Sequence, residues 1–258
     1  MIALQITRQL RWCTFGLKMS GDSVSYSIDV GGMRKEYKDK SDTFTEKDLV
    51  AKEPFTQFKN WFEEARNHKS ILEANAFCLA TATKDGHPSV RQMLMKGFGT
   101  DGITFFTNYN SRKSRELAEN PHVALNFYWE PLKRAVRIEG QVQKVSAAES
   151  DEYFQSRPRN SQIGALVSEQ SKPIANRDVL SDREKHLKAE YGDGVKQVPR
   201  PQHWGGFLVV PEVIEFWQGQ TDRLHDRIRF RKLKSGETPD GVLLHQGNNG
   251  WAYERLSP

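Results

Sequence analysis

Residues 223 to 231 read Arg-Leu-His-Asp-Arg-Ile-Arg-Phe-Arg. Successive side chains of a β-strand point to opposite faces. A strand here sets Arg223, His225, Arg227, Arg229 and Arg231 on one face, with Leu224, Ile228 and Phe230 on the other. The period of two and the apolar types favour that assignment. A row of cations beside one imidazole is unfavourable unless something anionic lies against it. Two readings stand: an edge strand whose charges discourage aggregation, and a pocket for phosphate-bearing ligands with His225 beside the chemistry.

Three further places suit an anion. Thr107-Asn108-Tyr109-Asn110-Ser111-Arg112-Lys113 reads as a strand end, a turn and a helix N-terminus capped by Ser111. Arg112 and Lys113 then oppose the positive end of the helix dipole, unless a phosphate shares the site with them and the free N–H groups; otherwise they are two solvated cations. The strand Ser89 to Lys96 embeds Arg91 and Lys96 among apolar neighbours, and buried cations need partners. Strict alternation puts those two on opposite faces, so they serve different ligands or a bulge intervenes; a plain barrel strand with snorkelling ends is the alternative. In the stretch 153–171, Tyr153 and Arg157 share a helix face and Ser161 is expected to cap the next helix. Trp217 follows an apolar strand and either packs against a cofactor or completes the core. Together these features imply two phosphorylated ligands. The chain has no glycine-rich nucleotide loop of either common type, which argues against ATP and dinucleotides.

The elements that must position these residues alternate mostly at the strand period. Phe55, Phe58, Trp61, Phe62 and Ala65 recur at helical spacing between Glu53 and Lys69, behind Pro54. Strands are expected at 76–83, 88–98, 102–108, 122–130, 134–145, 205–217, 224–232 and 250–256. Helices are expected from Ser111 and at 146–157, 161–169 and 177–191. Short strands joined by turns, with helices inserted late, indicate a mainly β chain with added helices (α+β), an antiparallel barrel rather than a doubly wound sheet.

The 258 residues allow one large domain. Residues 1–32 form an expected disordered extension before a single domain over 33–258. The first acidic residue is Asp22, and an acid-poor, arginine-bearing leader is also a mitochondrial transit pattern. No apolar run approaches the roughly 20 residues of a membrane span. Cys13 and Cys78 stand far apart, which disfavours a disulfide scaffold or a metal site and makes a reducing, cytoplasmic compartment the default. The formal charge of +5 suits either nucleic acid or small anions.

The motifs Arg91-Gln92-Met93-Leu94-Met95-Lys96-Gly97, Phe105-Phe106-Thr107-Asn108, Ser111-Arg112-Lys113, Ser156 to Ala165, Trp204-Gly205-Gly206, Glu215 to Gly219 and Arg223-Leu224-His225-Asp226-Arg227 together resemble the pyridoxine (pyridoxamine) 5′-phosphate oxidase family. The likeness runs from about Met33 to Pro258. It implies a homodimer of Greek-key, FMN-binding split β-barrels with each flavin at the subunit interface. It further implies oxidation of pyridoxine 5′-phosphate or pyridoxamine 5′-phosphate to pyridoxal 5′-phosphate, with oxygen reduced to hydrogen peroxide. By this resemblance Arg91, Gln92, Met93, Leu94, Phe106 and Thr107 line the flavin, and Arg112 and Lys113 hold its phosphate. Gln170, Ser171, Trp217 and Arg227 match further FMN contacts. Lys96, Tyr153, Arg157 and Ser161 match a clamp on the substrate phosphate. Arg223 and His225, as catalytic residues, lie with Leu224 over the substrate ring, and Arg34 and Tyr37 resemble a segment that closes over the site. One position departs: the family commonly has Gln where this chain has Ala135, and alanine cannot offer an amide to the flavin edge.

Two other functions are compatible with parts of the pattern. Another split-barrel flavoprotein, such as a flavin reductase, needs the flavin contacts but not Tyr153, Arg157, Ser161 and His225 together. A nucleic-acid-binding module needs a contiguous basic surface with exposed aromatics, whereas these cations sit in apolar strands.

Overall fold

This computed structural model describes residues 18–20, 23–25, 32 and 43–258. The chain divides into two units, Met1–Tyr37 and Lys38–Pro258. In the first, β1 (Lys18–Ser20) pairs antiparallel with β2 (Ser23–Ser25). The second carries β3 (Ala76–Ala82), β4 (Pro88–Leu94), β5 (Gly97–Gly99), β6 (Gly102–Asn108), β7 (His122–Trp129), β8 (Arg134–Lys144), β9 (Trp204–Gln218), β10 (Asp226–Lys232), β11 (His245–Gln246) and β12 (Trp251–Arg255). Its helices are α1 (Pro54–Asn67), α2 (Arg112–Glu119), α3 (Ala147–Ser156), α4 (Arg159–Val167) and α5 (Asp178–Tyr191). The sheet order is β11-β12-β10-β9-β8-β7-β3-β4, with β6 joining both β9 and β5. Every pairing is antiparallel.

One long strand organises the sheet. Residues 204–209 of β9 pair with β6, and residues 213–218 pair with β10, while β8 runs along the other edge. The switch of partner falls around Pro211, which has no N–H to give a ladder. Opposite it the β8–β9 register shifts between Glu139 and Gly140. A Cβ on Gly140 would lie 2.1 Å from the Val210 carbonyl oxygen, so only glycine admits this bend.

The core follows from alternation. Phe77, Leu79, Phe105, Leu125, Phe127, Ile138, Ile214, Phe216, Ile228 and Phe230 point inward and are buried. Helix α1 packs onto them: the Glu53 carboxylate accepts from Phe55 N and Thr56 N at 2.8 Å, and the Trp61 ring meets Phe216 edge-on at 5.2 Å. Truncating such a ring to alanine costs about 3–5 kcal/mol. A second cluster of Phe154, Ile163, Val167, Tyr191, Val198 and Trp204 joins α3, α4 and α5 to the start of β9.

Three expectations need correction. The strand expected over 88–98 is broken: β4 ends at Leu94, and Met95 buries its side chain while its N–H bonds to Asn75 O at 2.9 Å. Lys96 therefore leaves the alternation that Arg91 obeys. Secondly, β10 is not an edge strand, because it lies between β9 and β12. Thirdly, it starts at Asp226, so Arg223, Leu224 and His225 belong to the preceding turn; Arg223 is left-handed, with φ 70°. Among the described residues, no helix is long and apolar enough to cross a membrane.

Candidate active site

A cleft of about 590 Å³ opens between β4, β6, α3 and α4. Gln92, Met93, Leu94, Lys96, Phe106, Thr107, Tyr153, Arg157, Ser161 and Gln170 all line it, as does Trp204. The rings stack in parallel, Phe106 on Tyr153 at 4.0 Å and on Trp204 at 5.6 Å. They can approach the strand because residue 206 is glycine: a Cβ there would lie 2.7 Å from the Phe106 ring.

Arg157 follows the last residue of α3, its guanidinium 4.6 Å above the Trp204 ring. One of its terminal nitrogens is buried with no hydrogen-bond partner, and burial pushes its pKa down. Such a nitrogen is costly unless a ligand completes it. Ser161 does not cap α4, as the sequence suggested. The helix starts two residues earlier, behind Pro158, whose fixed φ of −52° opens the turn. The Ser161 backbone N–H bonds to Pro158 O at 2.8 Å, and its side chain lines the cleft beside Arg157.

Near Thr107 and Gln170 the cleft meets Lys113. Its side chain is buried, and Nζ donates to Gln170 Oε1 at 2.8 Å, Thr107 Oγ1 at 3.0 Å and Ser111 Oγ at 3.3 Å. Burial first, then the charge of Arg91, pulls its pKa down to about 8. No carboxylate forms an ion pair with it among the described residues. Ser111 is the N-cap residue of α2 but makes no capping hydrogen bond; its hydroxyl meets Ser114 Oγ at 3.2 Å. Ser171, beside Gln170, is left-handed at φ 71°.

Arg112, expected as a phosphate ligand, also has a partner within the chain: its Nε lies 2.8 Å from Glu116 Oε1, one turn along the same helix, and this carboxylate offsets part of its conflict with the dipole. Glu116 is buried and also accepts from Thr81 Oγ1, from Ser89 Oγ at 2.7 Å and from Arg91 at 3.3 Å. Burial raises its carboxyl, but bonds from Thr81, Ser89 and Arg112 outweigh that and hold it at about 2. Arg91 is thereby turned to Leu79 O, Thr81, Ser89 and Glu116; it does not line the cleft with Gln92, Met93 and Leu94. Sequence reasoning missed Glu116. The spacing Arg112 to Glu116, four residues on a helix, was the available signal.

A second cleft, of about 390 Å³, lies over β7, β8, β9 and β10 and is lined by Ala135, Arg137, Glu215, Trp217, His225, Arg227 and Pro258 among others. Trp217 is half-buried, in register with Ala135 on one side and Arg227 on the other. It faces this cleft, so it does not complete the core. Gly219 leaves room for it, since a Cβ would sit 2.8 Å from its ring. The His225 ring lies 4.8 Å from that of Trp217, and His225 Nδ1 accepts the Gln220 backbone N–H at 3.0 Å. Burial, then Arg223, lowers the His225 pKa.

Glu215, also missed, holds Arg227 at 2.7 Å and Arg137 at 2.6 Å. Arg227 also donates to Ser257 O at 2.8 Å. The expected row of five residues on one strand face is thus divided. His225 and Arg227 reach the cleft. Arg229 pairs with Glu254 at 2.6 Å, and Arg231 pairs with Glu237 at 2.6 Å and Glu254 at 3.1 Å. Arg223 and Leu224 line neither cleft, and Leu224 is exposed. Arg34 and Tyr37 lie outside the described residues. Among the described residues no group of His, Cys, Asp or Glu side chains is arranged to hold a metal ion.

An antiparallel barrel with flat rings beside a buried ammonium that has no carboxylate partner among the described residues, and a guanidinium with one orphaned nitrogen, suits planar, phosphorylated ligands. Residues 64–189 match the profile of the pyridoxamine 5′-phosphate oxidase family, and residues 204–258 match the pyridoxine 5′-phosphate oxidase C-terminal dimerisation region. The chain is similar to the pyridoxine/pyridoxamine 5′-phosphate oxidase of Bombyx mori, 57% identical over 90% of both chains. It is 52% identical to the pyridoxine-5′-phosphate oxidase of Bos taurus, over 90% of this chain and 88% of that one. Among solved structures it resembles PhzG from Burkholderia lata 383, in complex with tetrahydrophenazine-1-carboxylic acid. There the TM-score is 0.69 and the identity 30%, over 84% of this chain and 98% of that one. The chain belongs to the pyridoxine/pyridoxamine 5′-phosphate oxidase family, and its fold is the split barrel of that family.

Proposed function

We propose that this chain is an FMN-dependent oxidase that converts pyridoxine 5′-phosphate or pyridoxamine 5′-phosphate to pyridoxal 5′-phosphate, working as a homodimer. The relatives' activity supports the reading. The observation that carries it is a pair of cations at one cleft: Lys113, buried behind the lining residues Thr107 and Gln170 and without a carboxylate among the described residues, and the orphaned Arg157 nitrogen beside Tyr153 and Ser161. Two phosphates, one on the cofactor and one on the substrate, satisfy both. FMN therefore suits the residues present.

When bound, FMN supplies the two-electron acceptor through which the 4′ alcohol or amine becomes an aldehyde and oxygen becomes hydrogen peroxide; for the amine, water enters and ammonia leaves. The protein supplies binding and orientation. Lys113, with the exposed end of Arg112 beside it, holds the flavin phosphate, and Gln92, Met93, Leu94, Phe106, Thr107, Gln170 and Ser171 bound the flavin. Arg91 acts from behind, through Glu116 and Ser89. Lys96, Tyr153, Arg157 and Ser161 grip the substrate phosphate, using remote binding energy to place the reacting carbon. The second cleft, with Trp217, His225 and Arg227, would complete the site of a partner protomer, so that each full site would draw on both chains. Arg223 and His225 then lie against the substrate ring. The dimerisation region spans these residues. We place the reaction in the cytoplasm, a reducing compartment that suits the free thiol of Cys78.

The test is direct. The purified protein should be yellow, release FMN on denaturation, and consume oxygen with pyridoxamine 5′-phosphate while forming hydrogen peroxide and pyridoxal 5′-phosphate in equal amounts. A flavin-loaded protein that leaves both substrates unchanged would overturn the assignment.

A further inference from the structure

The turn between β9 and β10 is built around one buried side chain, Gln220. Its backbone N–H donates to His225 Nδ1 at 3.0 Å. Its carbonyl accepts from Arg223 N at 3.3 Å, and its amide Nε2 donates to Asp226 Oδ2 at 2.9 Å. Asp226 is anchored in turn: Oδ2 accepts Phe44 N at 3.0 Å, and Oδ1 accepts Arg255 at 2.9 Å. Three consecutive parts of one residue thus tie down positions 223, 225 and 226. This also explains how Arg223 is kept left-handed, a conformation that a non-glycine residue adopts only when its surroundings impose it.

The bond to His225 has a chemical consequence. A backbone N–H can only donate, so the nitrogen that receives it must carry a lone pair. Imidazolium has a proton on both nitrogens and would point N–H at N–H. We propose that Gln220 is a positioning residue that holds His225 as the neutral tautomer with its proton on Nε2, so that His225 meets the substrate ring as a hydrogen-bond donor and not as a base. The inference rests on the oxidase reading for the identity of the substrate, but not for the tautomer. Several charged groups face this imidazole: Asp222 and Arg223 in its own turn, Asp226 at the start of β10, and Arg227, Glu215 and Arg137 around the same cleft. Asp222 and Asp226 favour the imidazolium, while burial and Arg223 oppose it. The bond from Gln220 adds to the opposing side.

The decisive measurement is ¹⁵N NMR of the FMN-loaded protein with labelled histidine. The His225 signals, assigned by loss in His225→Asn, should show an unprotonated Nδ1 and a protonated Nε2 at pH 7.5. A proton on Nδ1 would overturn the proposal, whether or not the protein oxidises either substrate. Gln220→Met keeps the backbone N–H but, without altering charge, deletes the Nε2 bond to Asp226 Oδ2 that holds the turn, so the N–H loses its aim at His225 Nδ1. In kcat/KM it should move the acid limb up by about one pH unit, a tenfold change in proton affinity, with FMN content unchanged. An acid limb that stays in place while melting temperature falls would show Gln220 to be structural only, and would equally sink the idea. Inactivity of wild type with both substrates, beside the expected NMR signature, would instead count against the proposed function.

Discussion

Lys113 Nζ lies 2.8 Å from Gln170 Oε1 and joins the first turn of α2 to the segment after α4 through a cation with no carboxylate partner among the described residues. Arg112, next to it, is already paired with Glu116 at 2.8 Å. The two neighbours are therefore not equivalent toward a phosphate. Lys113→Met should weaken FMN by roughly 10- to 100-fold, the range of one charge-assisted hydrogen bond at about 1.5–3 kcal/mol, and Arg112→Ala by less. Riboflavin, which lacks the phosphate, should bind weakly and indifferently to both changes. The free Lys113 ammonium titrates at about 8, so it is charged below that pH and neutral above it. Raising pH from 7 to 9 should then loosen FMN by up to about tenfold, while riboflavin binding stays flat. Fluorescence titrations at one salt concentration check all of this; a Lys113→Met protein that binds FMN like wild type would remove the phosphate from this place.

Arg157 invites a test in which stability and activity move apart. Its orphaned nitrogen costs about 1–3 kcal/mol when nothing completes it. The stacking on Trp204 returns about 0.5–2 kcal/mol. Arg157→Met keeps a long, polarisable chain over the ring and removes the unpaired group. The ligand-free variant should melt no lower than wild type and up to a few degrees higher. Its KM for pyridoxamine 5′-phosphate should nevertheless rise at least tenfold, with FMN content unchanged. Calorimetry and steady-state kinetics on the same preparation give both numbers.

Much of this was legible in the sequence, and the failures have physical causes. Alternation located β3, β6, β7 and β8 because one face of each is buried in a common core, as Leu79, Phe105, Leu125 and Ile138 illustrate. It failed at Lys96, where Met95 turns into the core and breaks the period. It failed again at Arg223, where a turn imitates a strand because Leu224 happens to fall on the apolar phase. Periodicity carries no information about which acid each arginine meets. Arg91 and Arg229 look alike in their strands, yet one meets Glu116 on a helix and the other Glu254 across the ladder. Such pairings depend on contacts distant in the chain, and only the fold reveals them. The motifs, by contrast, pointed to the residues around Lys113 and Arg157, because residue types and their order are legible however the chain is folded around them.

Glu116 sets a limit on acid stability. Its folded carboxyl titrates at about 2, below the ordinary value of 4.5. The sign follows: the stabilisation is fully present above about 4.5 and is lost as pH falls toward 2. A folded value below the unfolded one is what ties stability to pH across this window. Glu116→Gln cannot gain or lose this proton, so its stability should fall less steeply between pH 5 and 3 than that of wild type. At pH 7 it should be the less stable protein, because Arg91 and Arg112 lose their shared partner. Urea denaturation at several pH values, on apoprotein, would expose the difference. Parallel acid limbs in the two proteins would show that Glu116 is not the group responsible.

Ala135 stands directly across from Trp217 on β9 and Tyr128 on β7, in the floor of the second cleft. By the family resemblance of the motifs, glutamine is expected at this position. Alanine leaves the floor without a long side chain and offers no amide to a ring lying against Trp217. Ala135→Gln adds one donor and one acceptor without changing charge, and the strand pairing on both sides is unaffected by the side chain. The added bond should tighten FMN by about 1 kcal/mol, the usual net value of one hydrogen bond, or roughly fivefold in Kd. An ordered water that already bridges the gap in the alanine protein would reduce that gain. Dissociation constants for both proteins, measured at one salt concentration, decide between these outcomes. If Ala135→Gln binds FMN more weakly, the wall formed by Trp217 and Tyr128 has closed around alanine and the flavin edge does not reach residue 135.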